Sequence, residues 1–382
     1  MTAGARPRLA TFLGLALTLG FTGFGGGYAV AQRIRHALVD KHKWLDDEAF
    51  VEALAVSSSL PGTTATNLLT LVGYRFGGVR AAAGAAAAFL APSVALMIAF
   101  GAAYNRLRHL PALASVLAGM GVATVGVIGA VAVDMRRYAI RGRLGWIIAS
   151  VSAALLIVDA LNLLEVIALA GLFGAIWMRP AELRIASPPD DDSPGSLRAI
   201  LIAIPPMAAM PAVVALFFVF ARIGIATFGG GIAMISPMEH EIVHVRGWLD
   251  DGAFRDAIVL GQITPGPIAI SATFIGYRVD GLLGAAVATV GMFGPPFLVS
   301  IAAAHSMNAF RRSSVVSGFL AAVAPAVVGA IVAACVALFH TAVHDVRQGI
   351  VAAAVFALLV IRPKLSPLLP IAIAGALEVL FA

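Results

Sequence analysis

Long apolar runs separated by short polar segments dominate the chain. Three of these runs, at 81–103, 111–133 and 318–339, each contain more than 20 residues. A helix needs about 20 apolar residues to cross a bilayer. The alternating ten-residue segments that a membrane β-barrel requires are absent from the sequence. The pattern therefore predicts an all-α polytopic membrane protein.

The second half of the chain repeats the first. An offset of 204 residues aligns 24–62 with 228–266 without a gap, and 16 of these 39 positions are identical. Beyond one inserted residue the offset becomes 203, and "GYR" at 73–75 then matches "GYR" at 276–278. A duplicated unit of this length is the primary organising feature of the chain. We expect a first membrane repeat at 1–178, a polar, proline-rich linker at 179–198 and a second membrane repeat at 199–382.

Each repeat contains an apolar stretch that is broken in its middle by a Pro-Gly pair. The pairs are Pro61–Gly62 and Pro265–Gly266. Such a break favours two half-helices, which a membrane tolerates only where they are buried in protein or line a cavity. We predict that each broken stretch enters the membrane and returns to the same side. The fold is then about ten transmembrane helices plus two re-entrant broken-helix segments.

Basic residues are distributed unequally between equivalent loops. The segments 31–49 and 134–144 each contain four Lys or Arg residues, whereas their counterparts 236–255 and 340–349 together contain three. Cytoplasmic loops of membrane proteins carry an excess of Lys and Arg. The asymmetry predicts that the second repeat is inverted relative to the first and that both termini lie outside.

Composition agrees with a membrane protein and excludes other classes. The chain is 60% hydrophobic and 12% charged, whereas soluble domains are about 25% charged. The net charge of +6 fits basic loops better than a nucleic-acid partner. Cys335 is the single cysteine, so we expect it to pack in a helix rather than form a disulfide. Arg6 and Arg8 precede an apolar stretch as in a signal peptide, but no small-residue cleavage site leads into a polar domain, so a first membrane helix is expected.

Hydroxyl and amide side chains follow the two breaks. Thr63, Thr64 and Asn67 follow the first break, and Thr264 and Ser271 flank the second. Half-helix N-termini expose backbone N–H groups and the positive end of the helix dipole, which attract anions. These residues could therefore form a cradle for an oxyanion at the interface of the repeats. The alternative is that they cap or pack membrane helices.

Three consecutive glycines precede each broken stretch, although glycine costs roughly 1 kcal/mol per position inside a helix. They are Gly25, Gly26 and Gly27 in the first repeat, and Gly229, Gly230 and Gly231 in the second. The runs could let helices approach closely. Three in a row indicate instead an unwound segment whose backbone faces a ligand or the broken stretch, and thus serves the site.

Five charged residues fall within or next to the membrane segments, where ionisable groups are functional candidates. Arg222 could bind a tetrahedral dianion bidentately, or it could snorkel at a helix end. Arg75 and Arg278 occupy equivalent positions and could line an anion vestibule or anchor the interface. Glu52 and Asp256 are also equivalent and could carry a coupling proton, or cap and pair locally.

Motifs for catalysis and metal binding are lacking in the sequence. There is no phosphate loop, HExxH motif or nucleophile elbow, so an enzyme and a cofactor are not expected. His240 and His244 are four residues apart beside Glu239, but a zinc site usually needs three or four converging ligands. The equivalents in the first repeat are His36 and Asp40, so the histidine pair is not duplicated. We therefore expect no metal.

The duplicated motifs "FGGG", "WLDD", "PG" and "GYR" resemble those of the chromate ion transporter family. The second repeat carries the better match, at Phe228–Gly231, Trp248, Gln262, Pro265–Pro267, Gly276, Tyr277, Gly281 and Pro295. The first repeat departs from the family pattern. Ser58 stands where Gln262 stands in the second repeat, and Thr63 stands where Pro267 stands.

The resemblance implies two homologous membrane halves and a secondary-active transporter that exports chromate across the bacterial inner membrane by alternating access. It also implies Gln262 as a substrate-binding residue and sulfate as the look-alike anion. Three alternatives remain open: a transporter of another small anion, a membrane packing or signalling protein, and an intramembrane enzyme. The duplicated break and Arg222 argue against a packing protein, and the missing motifs argue against an enzyme. The expected partners are a small oxyanion and the lipid bilayer, and a homodimer would be unsurprising.

Overall fold

A computed structural model describes residues 7–23, 26–107, 110–140, 142–178, 211–228, 231–305, 314–363 and 365–381. In these residues the first repeat forms α1 (Leu9–Thr22), α2 (Gly26–Arg35), α3 (Asp47–Ser59), α4 (Thr64–Leu107), α5 (Pro111–Ala139), α6 (Gly142–Ile157) and α7 (Leu163–Trp177). The second repeat forms α8 (Ala212–Ala226), α9 (Ile235–Glu239), α10 (Asp251–Ile263), α11 (Ser271–His305), α12 (Ser314–Ala342), α13 (Val346–Ile361) and α14 (Leu368–Phe381). The expected linker at 179–198 lies outside the described residues, as do Gly25, Gly229 and Gly230.

The repeat is visible helix by helix. α3 and α10 are related by the offset of 204, and α5 and α12 by the offset of 203. Two π-helical turns, His36–Lys41 and His240–Val245, are also related by 204. The described part of the chain is helical throughout, as the apolar pattern predicts. Each repeat contains two long helices, α4 and α5 in the first and α11 and α12 in the second, and ends in a pair of shorter helices.

The acidic residues of the two "WLDD" motifs start α3 and α10. The Ala49 N–H donates to Asp46 Oδ1 at 2.8 Å, and the Ala253 N–H donates to Asp250 Oδ1 at 2.7 Å. A side-chain acceptor at this position satisfies a free N–H of the first helical turn, and its charge favours the helix dipole. Each motif therefore supplies an acidic start to the helix that follows it.

The chain bends sharply at the first Pro-Gly break. Asn67 Nδ2 donates to the Pro61 carbonyl at 2.9 Å and lies 3.4 Å from the Ser57 carbonyl oxygen. An uninterrupted helix would separate residues ten apart by about 15 Å. Since a single side chain spans the gap between Ser57 and Asn67, α3 and the start of α4 must lie side by side.

The helix α4 then reverses direction at Gly77 and Gly78, whose backbone is not helical. It consists of a short segment, 64–76, and a long segment, 79–107. The two segments pack together so closely that a Cβ at Gly73 would lie 2.8 Å from Ala82 Cα. α11 has the same interruption at Asp280–Gly281. Each broken stretch is thus followed by a hairpin into a long helix.

Helices of one repeat pack on those of the other in a reciprocal pattern. α4 contacts α11, α5 contacts α13 and α14, and α12 contacts α6 and α7. The crossings use glycine, as close helix approach in membranes requires. A Cβ at Gly126 would lie 2.5 Å from the Ala352 carbonyl oxygen, and the equivalent Gly329 meets the Ala149 carbonyl oxygen. The two repeats therefore form one interlocked bundle.

The contacts between α4 and α11 fix their relative direction. Gly62 packs on Pro296, and Tyr74 Oη lies 3.1 Å from His305 Nδ1. The short segment of α4 therefore runs in the same direction as the end of α11. At the other end of the pair, an Arg278 N–H donates to Asn105 Oδ1 at 2.6 Å.

Four helical stretches are long and apolar enough to cross a membrane: Thr64–Arg106, Pro111–Arg137, Ile268–His305 and Ser314–Ala342. Shorter apolar helices surround them, including α6, α7, α13 and α14. These outer helices expose large apolar side chains such as Trp146, Trp177, Ile350 and Leu369. An apolar surface of this extent suits a lipid environment rather than water.

Candidate functional site

The two Pro-Gly breaks are held by the opposite repeat. The Gly62 N–H donates to the Thr227 carbonyl at 2.6 Å, directly after the end of α8. The Gly266 N–H donates to the Gly23 carbonyl at 2.9 Å, directly after the end of α1. Each break thus satisfies a free carbonyl at the C-terminus of the other repeat's first helix. This reciprocal pair of hydrogen bonds brings the breaks together in the centre of the bundle.

Glycine is required at both breaks by conformation and by space. Gly62 has φ +98° and Gly266 has φ +113°. Residues other than glycine rarely adopt these backbone angles. A Cβ at Gly62 would lie 2.6 Å from Pro296 Cβ, and one at Gly266 would collide with Ser93 Oγ. Pro296 and Ser93 are equivalent under the offset of 203. The long segments of α11 and α4 therefore press on the breaks in the same way.

A cavity of about 830 Å³ opens where the breaks meet. Both repeats supply its walls. Its polar lining near the breaks consists of Ser58, Ser59, Thr63, Thr64, Gln262 and Thr264. Five of the residues that the sequence nominated for substrate binding line it: Thr63, Thr64, Gln262, Thr264 and Gly266.

Two polar groups in the cavity wall have no hydrogen-bond partner among the described residues. They are Gln262 Nε2 and Thr264 Oγ1, and both atoms are buried. A buried polar group without a partner costs about 1–3 kcal/mol. A ligand that accepts hydrogen bonds from these two donors would remove that cost.

The first repeat adds a helix N-terminus to the same wall. α4 begins at Thr64, and Thr63, Thr64 and Ala65 line the cavity. The Thr63 hydroxyl donates to Thr66 Oγ1 at 2.9 Å. The N-terminus of α4, with the positive end of its helix dipole, therefore lies at the cavity wall, where it favours an anion.

The second repeat contributes side chains instead. Pro267, which has no N–H, precedes a 3-10 turn at Ile268–Ile270, and α11 begins after it. The first repeat departs from the family pattern at Ser58 and Thr63, and the two walls of the cavity accordingly differ in structure. One wall of the cavity offers a helix N-terminus with threonine hydroxyls, and the other offers Gln262 and Thr264.

The cavity reaches the surface beside two charged residues that the sequence analysis did not nominate. Arg33 and Asp134 line this mouth, and both are exposed. Arg33 also donates to the Thr22 carbonyl. The repeat equivalents are Pro237 and Ala337, so a search for duplicated residues misses them. The available signal was an acid, Asp134, near the end of an apolar helix.

Other residues that the sequence nominated pack near the breaks but do not line the cavity. Asn67 is buried and bonded to the first break. Ser271 is buried, with its Oγ 4.0 Å from Met238 Sδ. Gly231 has φ +94°, and a Cβ there would lie 3.1 Å from Ile268 Cγ2 and 3.6 Å from Thr63 Cγ2. Gly231 therefore packs against both broken stretches. In the first repeat, the backbone of Gly26 and Gly27 is already helical.

Three nominated arginines lie away from the cavity lining. Arg222 is partly buried on α8 and has no hydrogen bond or ion pair within the described part of the chain. Arg75 is exposed near the end of the short segment of α4. The Arg278 guanidinium lies 5.1 Å from the centre of the Tyr104 ring, and its Nε is buried without a partner among described residues.

The two nominated acids have different surroundings. Asp256 is buried and accepts a hydrogen bond from the Tyr104 hydroxyl at 2.7 Å, and Arg255 lies 3.2 Å from it. Because Tyr104 belongs to the first repeat, this cluster joins the two repeats. Glu52 is only partly buried on α3. Neither acid lines the cavity.

The duplicated bundle of apolar helices defines an integral, multi-pass membrane protein. Comparison with known sequences identifies the family to which it belongs. The sequence model of the chromate transporter family matches residues 10–175 and 214–379, so the chain belongs to that family. The two matched ranges coincide with the two repeats.

Relatives with assigned names match over most of their length. The chain is 30% identical to a chromate transport protein of Cupriavidus metallidurans over 368 residues, which are 94% of this chain and 89% of the relative. It is 31% identical to a probable chromate transport protein of Synechococcus elongatus over 330 residues, 86% of this chain and 84% of the relative. A chromate transport protein of Pseudomonas aeruginosa is 29% identical over 363 residues, 89% of this chain and 83% of the relative. No solved structure matches the chain.

Proposed function

We propose that this chain is a secondary-active transporter that exports chromate across the bacterial inner membrane by alternating access, and that the central cavity is the anion pathway. The observation that carries the proposal is the pair of unpartnered groups, Gln262 Nε2 and Thr264 Oγ1, in the cavity wall opposite the N-terminus of α4. Membership of a chromate transporter family supports the substrate.

The donor set suits a tetrahedral dianion. Chromate and sulfate present only acceptor oxygens, and the wall near the breaks offers an amide N–H₂, hydroxyls and free backbone N–H groups. Hydrogen bonds to a charged partner are stronger than those between neutral groups. The carboxylate in the lining, Asp134, lies at the mouth rather than at the breaks. Sulfate shares this chemistry and is the alternative substrate.

The size of the cavity supports a state that is open on one side. At about 30 Å³ per water molecule, 830 Å³ has room for on the order of 25 waters. One tetrahedral anion would fill a small part of it, so the rest forms a hydrated vestibule. Away from this mouth, the Asp256–Tyr104 and Arg278–Asn105 contacts join the repeats. Under alternating access these contacts open when the vestibule closes.

An inverted repeat with about ten crossings and two re-entrant segments is the topology we propose. The short segment of α4 folds back on its long segment and runs parallel to the end of α11, so the long segments of α4 and α11 are antiparallel. This relation between equivalent helices supports inversion. The cavity mouth carries Arg33 and Asp134, which border the basic loops expected in the cytoplasm. The proposed state is therefore inward-open.

Equivalent loop positions should react with thiol reagents from opposite sides of the membrane. In a Cys335→Ala background, we expect Arg143→Cys to be labelled only from the cytoplasmic side and Val346→Cys only from the outside. The two positions are related by the offset of 203, and both residues are exposed, Val346 by 81%. Labelling of intact cells and of inverted vesicles with a membrane-impermeant maleimide checks this. Labelling of both cysteines from the same side would contradict the inversion.

Transport itself is tested with purified protein in proteoliposomes. We expect radiolabelled chromate to cross the membrane faster than in protein-free liposomes, to respond to an imposed pH gradient, and to compete with sulfate. Phosphate and perchlorate serve as anions of different protonation and charge. If correctly folded protein moves none of these anions under either direction of the gradient, the proposed function is wrong.

A further inference from the structure

A cluster of three potential metal ligands lies at the start of α10, remote from the cavity. Glu239, His244 and Asp251 each offer one ligand atom, and these atoms lie within 4.8 Å of one another. The π-helical turn His240–Val245 brings Glu239 and His244 to the same side, next to the first residue of α10. The sequence spacing pairs His244 with His240, but His240 Nδ1 lies 3.0 Å from Asp159 Oδ2.

The carboxylate of Glu239 is buried without compensation. The residue is 4% exposed, and its Oε2 has no hydrogen-bond partner in the described part of the chain. No basic side chain among the described residues forms an ion pair with Glu239, His244 or Asp251. A buried charge is normally paired or coordinates a metal.

In the first repeat, an arginine side chain neutralises the acids at the equivalent position. The offset of 204 places Arg35, Asp40 and Asp47 where the second repeat has Glu239, His244 and Asp251. Arg35 forms ion pairs with both acids: its NH1 lies 3.3 Å from Asp40 Oδ2, and its NH2 contacts Asp47 Oδ1. A guanidinium thus links the π-helical turn to the start of α3. The second repeat keeps the aspartate at 251, has His244 in place of Asp40, and replaces the central cation with an acid.

We propose that Glu239, His244 and Asp251 bind a divalent transition-metal cation of the Zn²⁺ class, which takes the place of the Arg35 guanidinium in the second repeat. One imidazole nitrogen and two carboxylate oxygens suit such a cation, since imidazole selects against Mg²⁺ and Ca²⁺. Three protein ligands leave a coordination position for water.

The geometry requires a modest closure of the site. Ligand atoms of a tetrahedral zinc ion are about 3.3 Å apart, as follows from bonds of about 2.0 Å. The present separations of up to 4.8 Å therefore have to shorten by about 1.5 Å. His244 and Asp251 are exposed, so their side chains can rotate towards the buried Glu239. A bound cation would fix the N-terminus of α10, whose other end leads to Gln262 and Thr264.

The test is zinc binding to purified, untagged, metal-stripped protein in detergent and without any anion substrate. Isothermal titration should show one Zn²⁺ per chain, and Zn²⁺ should raise the thermal unfolding midpoint. His244→Ala and Asp251→Asn should each weaken binding at least about 10-fold, since loss of a ligand costs more than loss of a supporting contact. Asp250, which caps α10, remains intact in both variants.

The matched control is Glu239→Arg with His244→Asp, which copies the triad of the first repeat. This double variant should fold, bind no Zn²⁺ at this site, and unfold without metal at a temperature at least as high as the metal-free wild type. The proposal is overturned if wild-type protein binds no more Zn²⁺ than the double variant, or if His244→Ala and Asp251→Asn bind it as tightly as wild type. Because no anion is present, this result is independent of transport.

Discussion

Replacement of Gln262 by leucine together with Thr264 by valine will weaken chromate binding by about 100-fold or more. Both substitutions preserve approximate side-chain volume and remove the unpartnered polar groups of two cavity-lining residues. A hydrogen bond to a charged group contributes about 1.5–3 kcal/mol, so the loss of two corresponds to at least about two powers of ten. Because both donors are buried without partners in the empty protein, their removal should leave the fold as stable as before or stabilise it.

Equilibrium dialysis of purified protein against radiolabelled chromate measures this effect. Ser300→Ala is the matched control, because Ser300 Oγ is also buried without a described partner but does not line the cavity. We expect Ser300→Ala to bind chromate like the wild type. If the wild type and the Gln262 and Thr264 double variant bind chromate with equal affinity, these residues do not belong to the binding site.

Gly266→Ala will destabilise the protein by about 2–5 kcal/mol. The left-handed backbone at Gly266 costs a residue with a Cβ about 1–2 kcal/mol, and the collision with Ser93 Oγ adds about 1–3 kcal/mol of overpacking. The same change at Gly62, whose Cβ would meet Pro296, should have an effect of similar size. Because each break donates a hydrogen bond to the opposite repeat, either substitution should destabilise both repeats.

Thermal unfolding in detergent, followed by size-exclusion chromatography, measures the loss. Addition of Ser93→Ala to Gly266→Ala should recover part of it, because the hydroxyl is the atom that the new Cβ meets. Gly14→Ala is the control: Gly14 lies in α1 with nothing near its Cβ position, so alanine there should be neutral or stabilising. If Gly266→Ala unfolds at the same temperature as Gly14→Ala, the account of the breaks is wrong.

The sequence predicted the all-helical, duplicated architecture because duplication and helix breaks leave strong local signals. The offset of 204 that aligns the "WLDD" motifs also aligns α3 with α10. The two Pro-Gly pairs predicted the position of the breaks, and the hydroxyl residues beside them, Thr63, Thr64 and Thr264, line the cavity. Proline and glycine act on their own neighbours, so their effect can be predicted without knowledge of the tertiary fold.

Contacts between repeats could not be predicted in the same way. Tyr104 and Asp256 are 152 positions apart and have no motif in common, so only the packing of α4 against α10 brings them together. Arg222 was nominated because it is an arginine in an apolar segment. It does not line the cavity, and a continuous hydrophobic run does not predict which face of its helix is turned towards a site. Arg33 and Asp134 were missed because neither is duplicated.

The proposed metal site could not be predicted from the sequence for a related reason. His240 and His244 have the regular spacing of a helical ligand pair, which drew attention to the wrong partner. The third ligand, Asp251, follows a loop and becomes a neighbour only through the π-helical turn. Arg35 of the first repeat occupies the position of Glu239 and pairs with two acids. The first repeat therefore has a cationic side chain at this position, and the second repeat does not.

The central claim is that the anion binds where the two Pro-Gly breaks meet. Crystals of the protein grown with chromate, measured at the chromium absorption edge, locate the metal atom of the anion directly by anomalous scattering. We predict one strong peak within hydrogen-bonding reach of Gln262, Thr264 and the first turn of α4. A peak beside Arg222, with the cavity between the breaks empty, would contradict the account.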